Sequence, residues 1–298
     1  MIVRDKPGLW QLLFALRGSV LPRIAGPILG FAAFSALLVG LDRSGMLLMP
    51  RLEATPFTVF GIALSLFLGF RNNAAYDRWW EARRLWGGLV ADLRALGREC
   101  AICVSGEGRR TAILRLARAF VHLHRLNLRR QTPDAAALAA GAGPFADAAH
   151  PPCAALDALA AEIAAGQAAG EIDGFGSRTL TTRLASIALQ QAGCERIAAT
   201  PLPFVYSLLV FRTCYLYCLL LPLALIGPAG WMAPVFTAIV AYVFFGLAEV
   251  TEELSHPFGA TLNGLPLDAL CRTIEVGLAP HLGEAPPARL EPVDYYLS

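Results

Sequence analysis

Few residues in this 298-residue chain have the types and spacing that chemistry requires. Cys100 and Cys103 in "CAIC" have the spacing of a redox pair or half a zinc site, yet no second ligand pair follows nearby. His122 and His124 alternate within a helical pattern and point to different faces, which suits packing better than joint ligation. Glu249, Glu252 and Glu253 close an apolar run, where they could draw cations or anchor a helix end against an arginine. Arg212, inside another apolar run, is their natural partner, because a lone charge at bilayer depth is costly and is usually paired. No Gly-rich phosphate loop, nucleophile elbow or carboxylate dyad stands in a convincing setting. The expectation is a protein that is not an enzyme and holds no cofactor and no metal.

A different chemistry is written in residues 61–88, "GIALSLFLGFRNNAAYDRWWEARRLWGG". Ile62, Leu66 and Phe70 recur every four residues, so they line one helix face over about 12 Å of axis. Such a stripe serves most often as packing against a neighbouring helix. Repeated around a symmetry axis it would instead form stacked apolar rings, which gate ions by dewetting. Beyond it, Arg71, Asn72, Asn73, Asp77 and Arg78 would meet water in a wider vestibule. No proline or loop signal separates the two halves, so one helix is expected to cross a membrane and continue into the cytosol.

The elements that must position these residues follow from composition. The chain is 56% hydrophobic and 16% charged, with mean hydropathy +0.52. Soluble globular chains run at about 45–50% and about 25%, so an integral membrane protein is indicated. Four stretches are apolar and long enough to span: residues 24–41, 54–70, 203–227 and 231–248. The formal charge of +2 gives no footprint for nucleic acid. Seven cysteines, an odd number, favour reduced thiols over a disulfide framework. Residues 71–200 hold sixteen arginines, whereas the loops at 42–53 and 228–230 hold only Arg43 and Arg51. By this bias both termini and the middle region face the cytosol.

The resulting plan has an interfacial amphipathic segment at 1–23, spans within 24–70, and a cytosolic helical region at 71–202. A second pair of spans lies within 203–250, and a cytosolic segment and tail occupies 251–298. Residues 109–130 read as a second amphipathic helix, 131–170 as helical pieces joined by loops, and 175–198 as a further helix.

"FLGFRNNAAYDRWWEARRLWG" (67–87), "GCERIAATPLPFVY" (193–206), "RTCYLYCLLLPLAL" (212–225) and "EELSHPFGATLNGLPLDAL" (252–270) resemble, in order and spacing, the signatures of the bestrophin family, its bacterial branch above all. The resemblance implies an all-α homopentamer with four spanning helices per subunit and one pore on the fivefold axis. It places a hydrophobic neck on Ile62, Leu66 and Phe70, and a lower cytosolic aperture near Phe175. Trp79, Trp80 and Trp86 belong to the fold signature. Animal members carry an acidic run after "PFG" that helps to clasp calcium. Here no carboxylate follows Gly259 before Asp268, so no calcium clasp is expected.

The expectation is therefore a bestrophin-like channel in a bacterial inner membrane, surrounded by lipid and passing small monovalent ions. Leu66, aliphatic where animal members resemble phenylalanine, leans toward cations over chloride. A secondary transporter is one alternative, although no inverted repeat or broken helix pair supports it. A membrane scaffold is the other, with the arginine-rich helix 109–130 as its docking face.

Overall fold

The computed structural model describes residues 1–4, 8–46, 50 and 52–298. Arg51, counted among the loop arginines, and residues 5–7 of the 1–23 segment lie outside the described residues. Ten α-helices are found among those described: α1 Leu9–Leu13, α2 Leu21–Arg43, α3 Ala54–Cys103, α4 Glu107–Arg129, α5 Ala135–Ala139, α6 Pro151–Ala168, α7 Gly174–Ala199, α8 Phe204–Ala229, α9 Ala233–Ser255 and α10 Leu267–Leu278. The only extended pairings among the described residues are isolated bridges at Ile2–Tyr296 and Val293–Tyr296.

The helix expected to pass its apolar-to-charged boundary unbroken does so. It runs for 50 residues as α3, about 75 Å at 1.5 Å per residue. Three helical stretches are long and apolar enough to cross a membrane: Leu21–Arg43, Ala54–Cys103 and Phe204–Ser255. The last is folded in two by a 3-10 turn, Gly230–Met232, between α8 and α9. Gly230 has φ +52°, and a Cβ there would stand 2.9 Å from the Arg43 guanidinium, so the turn requires glycine.

The chain forms two compact units. One contains Asp5–Trp79 and Pro201–His256; the other contains Met1–Arg4, Trp80–Thr200 and Pro257–Ser298. The first unit is apolar. Leu64 and Leu68 of α3 pack on Val210, Cys214 and Leu221 of α8 and on Phe244 and Phe245 of α9, with Ile24 of α2 completing the cluster. Tyr217 donates to the Phe57 carbonyl at 3.1 Å, and its hydroxyl would be 2.8 Å from any Cβ at Gly61. Gly61 thus provides the close approach expected of a small-residue face, whereas Gly69 has open space beside it. Leu29, Leu37, Leu209, Leu216, Leu219 and Ile239 are exposed, so these helices are apolar outside as well as inside. That is the surface a bilayer covers.

The acids at the end of α9 do not meet Arg212. Glu249 and Glu253 accept from Arg23 of α2 at 2.8 and 2.5 Å, and Glu252 lies 3.6 Å from Arg71. Arg212 is exposed on α8 instead. The correction has a simple cause: α9 packs along α2, so its terminal acids reach the first turn of α2.

The second unit is built round α4, whose residues from Ala119 to Leu126 are all buried. The helix is amphipathic, as expected, but its buried face is broad and four of its arginines are engaged in ion pairs within the unit. Arg109 pairs with Glu162 and Glu171, Arg118 with Glu284, and both Arg125 and Arg129 with Asp268. Burial works against the charge of Asp268, but hydrogen bonds from Arg129 and Arg125 outweigh it and hold its carboxyl below the usual range. Arg183 of α7 clamps Asp92 and Glu99 of α3, each at 2.7 Å, and Ser186 adds a bond of 2.8 Å to Asp92. Between residues 131 and 170 the loops expected are present, but α6 is one continuous 18-residue helix.

The two ends of the chain meet through backbone hydrogen bonds that no sequence pattern announced. Ile2 N donates to the Leu262 carbonyl at 2.9 Å, Val3 N to Tyr295 at 2.8 Å, and Leu297 N to Met1 at 2.9 Å. Arg4 stacks 4.3 Å above the Tyr295 ring.

Candidate pore-lining site

On α3, Leu64, Leu68 and Ala75 are buried in the core, and the opposite face is bare. Ile62 is 59% exposed, Leu66 58% and Phe70 69%. At 100° per residue, Ile62, Leu66, Phe70, Asn73 and Asp77 fall within an 80° arc. Asn73 and Asp77 are exposed on it, which extends the apolar stripe into a polar one. The three sequence-selected apolar residues therefore share one surface with two of the five vestibule candidates.

The other three are placed differently: Arg78 is half-buried 160° round the helix from Ile62 and donates to the Ser255 carbonyl at 2.8 Å. Asn72 is half-buried to one side of the arc. Arg71 lies on the far side of the helix, 8% exposed, and donates to Ser207 Oγ at 2.8 Å. As a vestibule residue Arg71 is thus a correction. It stands 180° from Ile62 on the helical wheel, so helical geometry sends it into the bundle.

Phe175 occupies the first turn of α7 and is 84% exposed. Asp173 caps this helix by accepting from Gly176 N at 2.7 Å. A Cβ at Gly176 would come within 2.9 Å of Cys103 Cβ, so glycine is needed where the turn meets the end of α3. Cap and close approach hold the backbone beneath a phenyl ring that itself touches little. Substituting Asp173→Ala is expected to cost about 1 kcal/mol of stability, read as a lower thermal midpoint. An unchanged midpoint would show that the cap does not hold this turn.

The remaining candidates are structural. Cys100 is buried, Cys103 is half-buried, and no group of three or more metal-ligating side chains occurs among the described residues. His122 Nε2 lies 2.8 Å from Glu275, while His124 stacks between Trp86 and Phe120 at centroid distances of 5.6 and 5.7 Å. Burial pushes the His124 imidazole down to about 3, so it is neutral at physiological pH. The residues that stand out are exposed apolar ones.

The description "Bacterial/Fungal Bestrophin protein" fits the family model that matches residues 1–280. The chain is 48% identical over 301 residues to the voltage-dependent anion channel-forming protein mll4386 of Mesorhizobium japonicum, covering 100% of this chain and 97% of that one. It is 36% identical to the voltage-dependent anion channel-forming protein YneE of Escherichia coli K12, covering 99% of each. Among solved structures, the bacterial bestrophin homologue of Klebsiella pneumoniae superposes with a TM-score of 0.80 at 31% identity, over 90% of this chain and 100% of that one. An unbroken α3, its bare apolar stripe and agreement along the whole chain lead to one conclusion: the chain belongs to the bacterial and fungal bestrophin family, and it is an ion channel protein of the membrane, not an enzyme.

Proposed function

We propose that five copies surround one pore, that α2, the first part of α3, α8 and α9 each cross a bacterial inner membrane, and that both termini face the cytoplasm. Ile62, Leu66 and Phe70 then form three stacked apolar rings, and Phe175 forms a second, cytosolic collar. The observation that carries this reading is the exposure of Ile62, Leu66 and Phe70, each more than half bare although α3 has a fully buried face beside them. Apolar side chains left uncovered by their own fold are covered by lipid or by identical neighbours. The polar continuation through Asn73 and Asp77 on the same arc favours identical neighbours around water, because lipid would not accommodate Asp77.

Rings of this kind sort ions by how readily each sheds water, not by fixed charge. Charged groups beyond the stripe add an electrostatic bias to that sorting. Arg71 is turned away and held by Ser207 and Glu252, so Asp77 is the first ionisable group beyond the stripe on this face, with Arg84 two turns further along α3. We therefore assign a preference for small monovalent cations, although the two bacterial relatives carry the word "anion" in their names. Planar-bilayer recording of the purified protein under a NaCl gradient tests both parts. Conduction with a reversal potential toward that of sodium is expected. A potential toward that of chloride overturns the assigned sign, and no conduction overturns the channel.

A further inference from the structure

Apart from the stripe, the apolar unit contains a cavity of about 330 Å³ enclosed by α2, α3, α8 and α9. One end is polar, with Arg23, Arg71, Ser207, Glu249 and Glu252 in its wall. The other end is apolar, with Phe211, Tyr215 and Phe245. All five polar residues stand at or just beyond the ends of apolar runs: the start of α2, the end of the apolar part of α3, the first turn of α8 and the end of α9. In a membrane protein that is the level of the lipid headgroups.

Arg71 is incompletely satisfied. Its side chain is 7% exposed, its one hydrogen bond is to Ser207, and Glu252 stands off at 3.6 Å with half its own surface in solvent. The Arg71 Nε–H is buried and has no acceptor among the described residues. A guanidinium carries five N–H donors, and burying it with several unmet is costly. An acceptor with several oxygens is what this corner lacks.

A bare anion would meet Glu249 and Glu252 in the same wall. A purely cationic group would meet Arg23 and Arg71. The wall has two charges of each sign and an aromatic end, which suits an amphiphile with both charges in its head. We propose that this cavity binds the headgroup of a zwitterionic, amine-bearing phospholipid: the phosphodiester on Arg71 and Ser207, the ammonium on Glu249 and Glu252, the glycerol and upper acyl chain along Phe211, Tyr215 and Phe245. A phosphate oxygen gives Arg71 the planar, charge-assisted contact it lacks. An ethanolamine ammonium gives Glu252 a partner closer than Arg71. The assignment rests on membrane insertion of these helices and is independent of the neck, of conduction and of ion sign.

Purified protein in detergent, titrated with dihexanoyl phosphatidylethanolamine, dihexanoyl phosphatidylglycerol or inorganic phosphate, gives the test, with the thermal midpoint as readout. Phosphatidylethanolamine is expected to raise the midpoint saturably, with half-effect at a concentration at least about tenfold below that for phosphatidylglycerol. Inorganic phosphate should do nothing over the same range. Glu252→Gln, at a half-exposed position the fold tolerates, should abolish the difference between the two lipids, and Ser207→Ala should weaken both. Equal effects of the two lipids on the native protein overturn the zwitterionic assignment. A response to phosphate matching that to lipid reduces the cavity to an anion site, and undiminished discrimination by Glu252→Gln removes the carboxylate from recognition. Each of these three results rejects the proposal.

Discussion

Replacing Ile62, Leu66 and Phe70 together by alanine is expected to raise single-channel conductance about tenfold or more and to flatten discrimination among monovalent ions, since an apolar constriction resists ions by dewetting and the rings supply that resistance. The reasoning is geometric. Each side chain is exposed in its own subunit, so shortening it opens the conduit instead of leaving a cavity in the fold. A tenfold change corresponds to about 1.4 kcal/mol off the barrier, which is modest for three rings widened at once. Leu68→Ala is the matched control. Leu68 is on the same helix but fully buried, and truncating it should cost about 2–5 kcal/mol of stability. The triple variant should keep a thermal midpoint near that of the native protein while conductance rises. Unchanged conductance would mean that the barrier lies elsewhere, and a collapsed midpoint would mean that the stripe is core.

What the sequence made legible is what depends on period and continuity. Four-residue spacing marked the stripe, and the missing breaker between Phe70 and Arg71 marked α3 as one helix. The same 100° step separates Arg71 and Arg78 from Asn73 and Asp77, because it puts both arginines nearly opposite Ile62; polarity groups the five into one vestibule where angle divides them. Arg212 failed for another reason. The cost of a lone charge at bilayer depth says that it wants a partner but not which; α9 packs on both α2 and α8, yet Arg212 is on an exposed face of α8 while Arg23 of α2 reaches the acids. The bonds between residues 1–3 and 295–297 join opposite ends of the chain and leave no local pattern. For α4, arginines at 109, 118, 125 and 129 suggested a wet face. Each one is instead an ion-pair partner, Arg109 and Arg118 at partly exposed positions and Arg125 and Arg129 in the interior, where a charge is tolerated only when paired.

His124 is the residue whose pairing no sequence rule anticipated, and it yields the second large effect. Stacked between Trp86 and Phe120, it is fully buried, and both of its ring nitrogens have no hydrogen-bond partner among the described residues. Burial, helped by the nearby His150, pushes it down to about 3, whereas an unfolded histidine titrates near 6.5. The sign follows directly. Above pH about 6.5 the ring is neutral in both states and linkage contributes nothing. Between about 6.5 and 3 the unfolded chain binds a proton that the native chain refuses, so native stability falls as pH falls, by about 1.4 kcal/mol per unit. At pH 4.5 the loss reaches about 3 kcal/mol. Asp268 and Glu275, held below their usual ranges against burial by arginine and histidine partners, give up their contribution only at lower pH, as they protonate. The window from 6.5 to 4.5 therefore belongs mainly to His124.

A His124→Phe variant removes the titration and two buried nitrogens that lack partners, and keeps the aromatic stack. It should be more stable than the native protein by about 1 kcal/mol at pH 7.5, and the advantage should grow to about 3–4 kcal/mol at pH 4.5 as the linkage loss disappears. Thermal midpoints of both proteins in detergent, taken at half-unit steps between those limits, give the comparison. A constant gap across the range would mean that His124 is protonated inside the fold or meets an acceptor there. A native protein more stable than the variant at pH 7.5 would mean that the imidazole makes a contact worth more than the desolvation of its nitrogens.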